Sequence, residues 1–224
     1  MLRSPLLLRL VPIVIGGTLP ASAQSLATPE DVHRLHHDSQ AYIAMLEDPA
    51  RDGYQKPAEV VKALDVKPGE TIADIGAGSG YFAVRLAEAV GPKGRVDAVD
   101  VEANMILFLN QRIRDAALWQ IRTILAPPDD PLLGDGSVDR FFICDTWHHI
   151  EAKERYLSLM KRMLKPGGQV VMIDFQKKEL PVGPPVSMKI AREDLVTQLE
   201  AAGFRMAREE TFLPYQYFLI FVAK

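Results

Sequence analysis

Asp145, His148 and His149 fall within the six residues Asp145-Thr146-Trp147-His148-His149-Ile150, directly after an apolar run. A histidine titrates near working pH, so either one could take a proton from a reacting group as general base. Asp145, three residues before His148, is a third candidate for that base. The plain alternative is that one histidine caps the following helix while the other packs. A second group is Asp74-Ile75-Gly76-Ala77-Gly78-Ser79-Gly80, with glycine at every second position from Gly76. Such a loop lets a ligand approach the backbone closer than any Cβ would allow. Asp100 lies about twenty residues past it, where a nucleotide-binding fold places the acid for ribose hydroxyls. His33 and His37 stand four residues apart, a spacing at which two ligands can share a metal. No third ligand accompanies them, so a solvated histidine-rich face, with His36, is the expectation and no metal is assigned. Cys144 is the single cysteine. It excludes an internal disulfide and a cysteine-only metal cluster, and its apolar surroundings suit a buried, inert thiol.

The elements that must position these groups follow from the pattern. Thr71 to Ile75 is a short apolar run with Asp74 near its end, as in a buried strand. After Gly80, the residues Tyr81, Phe82, Val84, Leu86, Ala87 and Val90 have helical spacing. Strand, glycine loop and helix in that order make a ligand-binding turn of an open α/β sheet, where ligands bind at the carboxyl ends of strands. No Gly-Lys-Ser/Thr follows, which excludes a Walker loop. The third glycine comes one residue too early for the dinucleotide fingerprint. Arg95 to Asp100, Ile121 to Leu125, Phe141 to Cys144 and Gln169 to Phe175 read as further strands. Val101 onward, Ala152 to Leu164 and Arg192 to Ala202 read as helices. Phe204 to Thr211 and Tyr215 to Val222 read as a closing hairpin. Leu46 to Pro57, rich in Pro and Gly, reads as a loop.

The string Asp74-x-Gly76-x-Gly78-x-Gly80 resembles motif I of the class I S-adenosylmethionine (SAM) methyltransferases. Asp100 resembles that family's motif II acid. Leu132-Leu133-Gly134-Asp135-Gly136-Ser137-Val138-Asp139 resembles its approach to the fourth strand, and Leu164-Lys165-Pro166-Gly167-Gly168 its post-motif signature. The resemblance covers about residues 48–224. It implies a Rossmann-like, seven-stranded, mostly parallel sheet with an antiparallel C-terminal hairpin and helices on both faces. It also implies SAM as cofactor, held by Asp74, Gly76, Ala77, Gly78, Gly80, Asp100 and the adjoining Val101. Met105 is assigned to the adenine or ribose, with a core methionine as the alternative. Asp129 or Asp130 would meet the adenine amino group, and the local pattern does not choose between them. Arg51, Tyr54 and Gln55 would belong to a lid over the cofactor, with Asp145, His148 and His149 facing the methyl donor.

Length suits one medium domain plus a leader. The formal net charge is −3 and no basic block marks a nucleic-acid surface. Residues 1–23 carry the marks of a secretory signal: Arg3, an apolar stretch, then Ala21-Ser22-Ala23 for cleavage after Ala23. The stretch is too short and too interrupted for a good membrane span. The expected organisation is a signal at 1–23, an N-terminal helix and lid at 24–57, and a methyltransferase domain at 58–224. The expected protein is an exported, periplasmic or envelope enzyme that methylates a small-molecule or lipid-like acceptor, with membrane association possible but not required and no obligate protein partner. The rival is a SAM-fold binding protein of the envelope without catalysis. A nucleotide-dependent oxidoreductase is disfavoured by the glycine spacing.

Overall fold

The computed structural model describes residues 39–224. The expected leader at 1–23, the start of the N-terminal helix, and His33, His36 and His37 lie outside the described residues. A seven-stranded sheet runs in the order β3-β2-β1-β4-β5-β7-β6. Its strands are β1 (Thr71–Ile75), β2 (Arg95–Asp100), β3 (Ile121–Leu125), β4 (Val138–Cys144), β5 (Leu164–Phe175), β6 (Phe204–Glu210) and β7 (Gln216–Ala223). All neighbours are parallel except β7, which is antiparallel to both β5 and β6. The helices are α1 (Ser39–Leu46), α2 (Asp52–Gln55), α3 (Pro57–Leu64), α4 (Tyr81–Val90), α5 (Ala103–Ala116), α6 (Lys153–Met163) and α7 (Arg192–Ala201).

Strands covered on both faces carry apolar residues on both, and β1 is buried at all five positions. Along β4, Phe141 and Ile143 pack with Tyr156, Met160, Leu195 and Leu199 of α6 and α7. Phe142, between them, packs on the opposite face with Phe82, Leu86 and Leu109 of α4 and α5. Two hydrophobic cores thus clamp the sheet, as the mostly parallel α/β arrangement requires.

Strand order turns back between β1 and β4, so their carboxyl ends flank a crevice, the usual ligand site of such sheets. Because β7 is antiparallel, its first residue, Gln216, pairs with the last residue of β5, Phe175. A residue late in the sequence is thereby delivered to the same edge.

Two elements differ from expectation. The segment read as a loop before Pro57 is helical: a 3-10 turn at Pro49–Arg51 leads into α2. Asp48 accepts a bond from the Ala50 N–H at 2.8 Å, and Pro49 fills the first turn, where its missing N–H costs nothing. These local start signals outweigh the loop composition. Further on, the Lys-Pro-Gly-Gly run is not a turn ahead of β5 but part of it. Pairing shifts register between Val138 and Arg140, and Leu164 to Gly168 absorb the excess. A Cβ on Gly168 would sit 3.0 Å from the Asp139 carbonyl oxygen, so this close strand approach needs glycine.

Candidate active site

The glycine loop leaves β1 with φ +72° at Gly76, +54° at Gly78 and +85° at Gly80. Side-chain residues rarely adopt such angles. A Cβ on Gly76 would lie 2.3 Å from Thr146 Oγ1, so the loop after β1 touches the loop after β4 across the crevice. The Gly78 N–H donates to Asp100 Oδ2 at 2.7 Å, and the Glu102 N–H to Oδ1 at 2.9 Å. Burial raises the Asp100 pKa, opposed by those two N–H groups. Asp74 is 3% exposed, and its Oδ2 has no partner. Burial, with the Asp100 charge second, raises its pKa to about 7. Ser79 Oγ, in the same loop, is also buried without a partner.

These residues fit SAM. Each Asp100 oxygen takes one N–H and keeps capacity for a ribose hydroxyl. Asp74 presents an unsatisfied carboxylate oxygen suited to a cationic group. The glycines leave the backbone bare beside it.

The N-terminal helices cover this loop. Leu46 Cδ1, at the end of α1, lies 3.1 Å from where a Gly78 Cβ would be. Arg112 of α5 donates to Glu47 at 2.8 Å and to the Ser79 carbonyl at 3.3 Å. The Arg51 and Arg85 guanidinium groups lie 4.2 and 4.3 Å from the Tyr81 ring centre, and the Tyr81 hydroxyl donates to Asp52. Tyr54 lies 6.1 Å from Phe175 and 6.2 Å from Tyr215, ring centre to ring centre. Tyr42 on α1 is influenced by both Asp100 and Asp145, and burial first of all takes its pKa to about 12.

Gln55, fully buried at the end of α2, donates to Asp145 Oδ2 at 2.6 Å. Gln216 donates to Asp145 Oδ1 at 2.7 Å and to Gln55 Oε1 at 3.1 Å. Three distant segments therefore meet on one carboxylate. Asp145 holds φ +55°, a strained angle for a side-chain residue. Burial and the charge of Asp174 raise its pKa to about 6, against the pull of Gln216, Arg51 and Gln55. Cys144 donates weakly to Gln55 Oε1 at 3.7 Å, and burial pushes its thiol well above the usual range.

His148 and His149 lie in a 3-10 turn, Trp147–His149, and differ sharply. The His148 side chain is buried, with Nδ1 3.0 Å from both oxygens of Asp174. Burial disfavours the imidazolium, but the Asp174 carboxylate outweighs it and the pKa rises. His149 is exposed, its ring centre 4.2 Å from that of His148. The arrangement is a base held by a carboxylate, with the base nitrogen fixed by the bond at Nδ1.

Of the other expected contacts, Met105 is buried at the head of α5 and Val101 is exposed beside Asp100. Asp129 pairs with Arg155 at 3.3 Å, while Asp130 accepts from the Leu132 N–H at 2.8 Å. Each of the two already has a local partner. Asp174 and Gln216 were not legible as site residues. Asp174 ends β5 as Asp74 and Asp100 end theirs, a signal that sequence reasoning could have used. Gln216 carried none.

A mostly parallel sheet with this strand order, a bare glycine loop and paired acids at its switch point is the fold of class I SAM-dependent methyltransferases. A SAM-dependent methyltransferase from Aquifex aeolicus matches it with a TM-score of 0.78 and 28% identity, over 81% of this chain and 97% of its own. The model of the ubiE/COQ5 methyltransferase family matches residues 53–208, and the chain belongs to that family. The demethylmenaquinone methyltransferase of Listeria welshimeri is 28% identical over 123 residues, 55% of this chain and 52% of its own length. The ubiquinone/menaquinone biosynthesis C-methyltransferase UbiE of Vibrio vulnificus is 28% identical over 175 residues, 77% of this chain and 65% of its own. The chain thus spans about half to two thirds of the length of these curated relatives.

Proposed function

We propose that the protein transfers a methyl group from SAM to a small-molecule acceptor, with His148 as the base. One observation carries this reading. The Asp74–glycine loop–Asp100 cradle and the His148–Asp174 pair occupy the carboxyl ends of adjacent strands, joined by the contact of Gly76 with Thr146. SAM, when bound, supplies an electrophilic methyl group on a sulfonium. Asp100 binds the ribose hydroxyls and Asp74 faces the cationic end. Met105 lies on the adenosine side, with Asp129 or Asp130 toward adenine, while Tyr54 and Gln55 close over the crevice from the Asp145 side. The main contribution of the site is to hold the acceptor atom in line with the methyl carbon. Where the acceptor must lose a proton, His148 takes it, while Asp174 fixes the ring and steadies its charge. Asp145 backs this edge of the crevice.

The relatives named for quinone biosynthesis favour a ring-bearing small molecule or a lipid-like one as acceptor. The leader-like residues 1–23 support export to the envelope, with cleavage after Ala23. N-terminal sequencing of the protein recovered from the producing cell checks that point, and an N-terminus at Gln24 is expected. The function is tested by incubating purified protein with methyl-labelled SAM and a cell extract. Label entering a small molecule, and lost in His148→Ala, is the expected result. Bound SAM with no transfer in any extract would favour the rival, a SAM-fold binding protein.

A further inference from the structure

Beyond the cofactor cradle, a cleft of about 520 Å³ opens between the chain after β5 and α7. Lys153, Lys177 and Lys189 line it, with Asp194 as the one acidic side chain among its lining residues. Lys153 starts α6, four residues after His149. Its ammonium reaches the Ile150 carbonyl and lies 5.9 Å from the Trp147 ring centre. Lys189 is 3% exposed; it donates to the Lys178 carbonyl at 2.8 Å and lies 5.9 Å from the Phe175 ring centre. Lys177 is exposed at the cleft mouth.

None of these three ammonium groups forms an ion pair with a carboxylate among the described residues, whereas Lys67 and Lys165 pair with Asp65 and Asp139. Burial lowers the pKa of both Lys153 and Lys189, and the Asp174 charge acts on both in the opposite sense. The cleft therefore adjoins the carboxylate that holds His148. Buried lysines are rare without a counter-charge. Asp194 lines the cleft and Glu151, Glu179 and Asp174 act on Lys153 or Lys189 from outside its lining, but no ion pair closes off any of the three ammonium groups, so each can still take an anion.

We propose that this cleft is the anion subsite of the methyl acceptor, in which Lys153, Lys177 and Lys189 hold a carboxylate or phosphate group of a ring-bearing substrate. The inference rests on the methyltransferase reading, and it narrows the acceptor from any small molecule to an acidic one. A neutral quinone ring would give these three donors no anionic group to bind. The chain between Lys177 and Lys189 sets the shape of the subsite: a Cβ on Gly183 would lie 2.7 Å from the Phe175 ring, so this segment is folded tightly over the end of β5.

The test is an NMR titration of the full chain with benzoate, phenyl phosphate and neutral benzyl alcohol, each with and without S-adenosylhomocysteine. Alongside the native protein stand Lys153→Gln/Lys177→Glu, which leaves the buried Lys189 in place, and Lys189→Gln. At least one anionic probe is expected to bind tighter than the alcohol and to weaken as salt rises. Each variant should lose ~10-fold in that affinity, the size of one charge-assisted contact, with S-adenosylhomocysteine affinity unchanged. Which of benzoate and phenyl phosphate binds tighter identifies the anionic group. Equal binding of alcohol and anions, or variants that bind the anions like the native protein, overturns the subsite. Absence of S-adenosylhomocysteine binding instead overturns the methyltransferase reading, and the titrations without it still decide the subsite. If Lys189→Gln does not fold, the double variant decides the subsite by itself.

Discussion

A carboxylate buried with an unpartnered oxygen costs free energy until a cation or a proton reaches it, and Asp74 is in that state. Its folded pKa of about 7 stands above the ordinary 3.8. The folded state therefore holds this proton more tightly than the unfolded one, and stability from this group falls as pH rises from 3.8 to about 7. Asp74→Asn should stabilise the ligand-free protein by about 1–3 kcal/mol in urea unfolding. The gain should be larger at pH 8 than at pH 5, and SAM affinity should fall. His148 also has a raised pKa, so its contribution to stability has the same sign, while its activity as a base runs the other way. Asp174 raises its pKa, so the free base, and turnover with it, appears only as pH rises past a value above 6.5. Asp174→Asn should move that inflection downward and reduce turnover by about 10²–10⁴-fold, the usual worth of a positioned base, without changing SAM affinity. A pH–rate profile beside a SAM titration separates this positioning role from loss of fold.

Among the elements, the loop after β1 and the turn after β4 act as one unit. Gly76→Ala would set a methyl 2.3 Å from Thr146 Oγ1 and force a side chain to φ +72°. A loss of about 1–3 kcal/mol and weakened SAM binding are expected. Thr146→Gly should recover only the steric part, because the backbone angle remains; thermal melts of the single and double variants check this. The lid obeys the same logic. Gln55→Ala removes the N–H donor at 2.6 Å from Asp145, leaving a buried carboxylate oxygen short of a partner. That should destabilise the protein by about 1–3 kcal/mol, measured by urea unfolding. What could be read from the sequence follows these ranges of contact. The glycine loop and Asp100 were legible because their spacing is local and their conformations demand glycine. Gln55 and Gln216 on Asp145 were not, since 90 and 71 residues separate the partners. The lid was expected as a loop and its helical form was missed, because its Pro and Gly content resembles a loop while the Asp48 cap that starts it is a single hydrogen bond.

For the whole molecule, two cores fix the sheet, and its switch point fixes the crevice. The seven-stranded, mostly parallel sheet with its antiparallel end came through the family resemblance, whereas the strand order did not, since parallel pairing leaves no local mark that tells β4 to lie beside β1. The antiparallel β7 matters for function because it brings Gln216 to the crevice edge. Every functional role assigned to these residues depends on SAM binding in the cradle of Asp74, the glycine loop and Asp100. The most direct test is calorimetric titration of the protein with SAM and with S-adenosylhomocysteine, set against Asp100→Ala. Micromolar binding of both to the native protein, weakened at least ~10-fold in the variant by loss of the charged ribose contact, is the expected result. No heat of binding with the native protein, or equal affinity in Asp100→Ala, would contradict it.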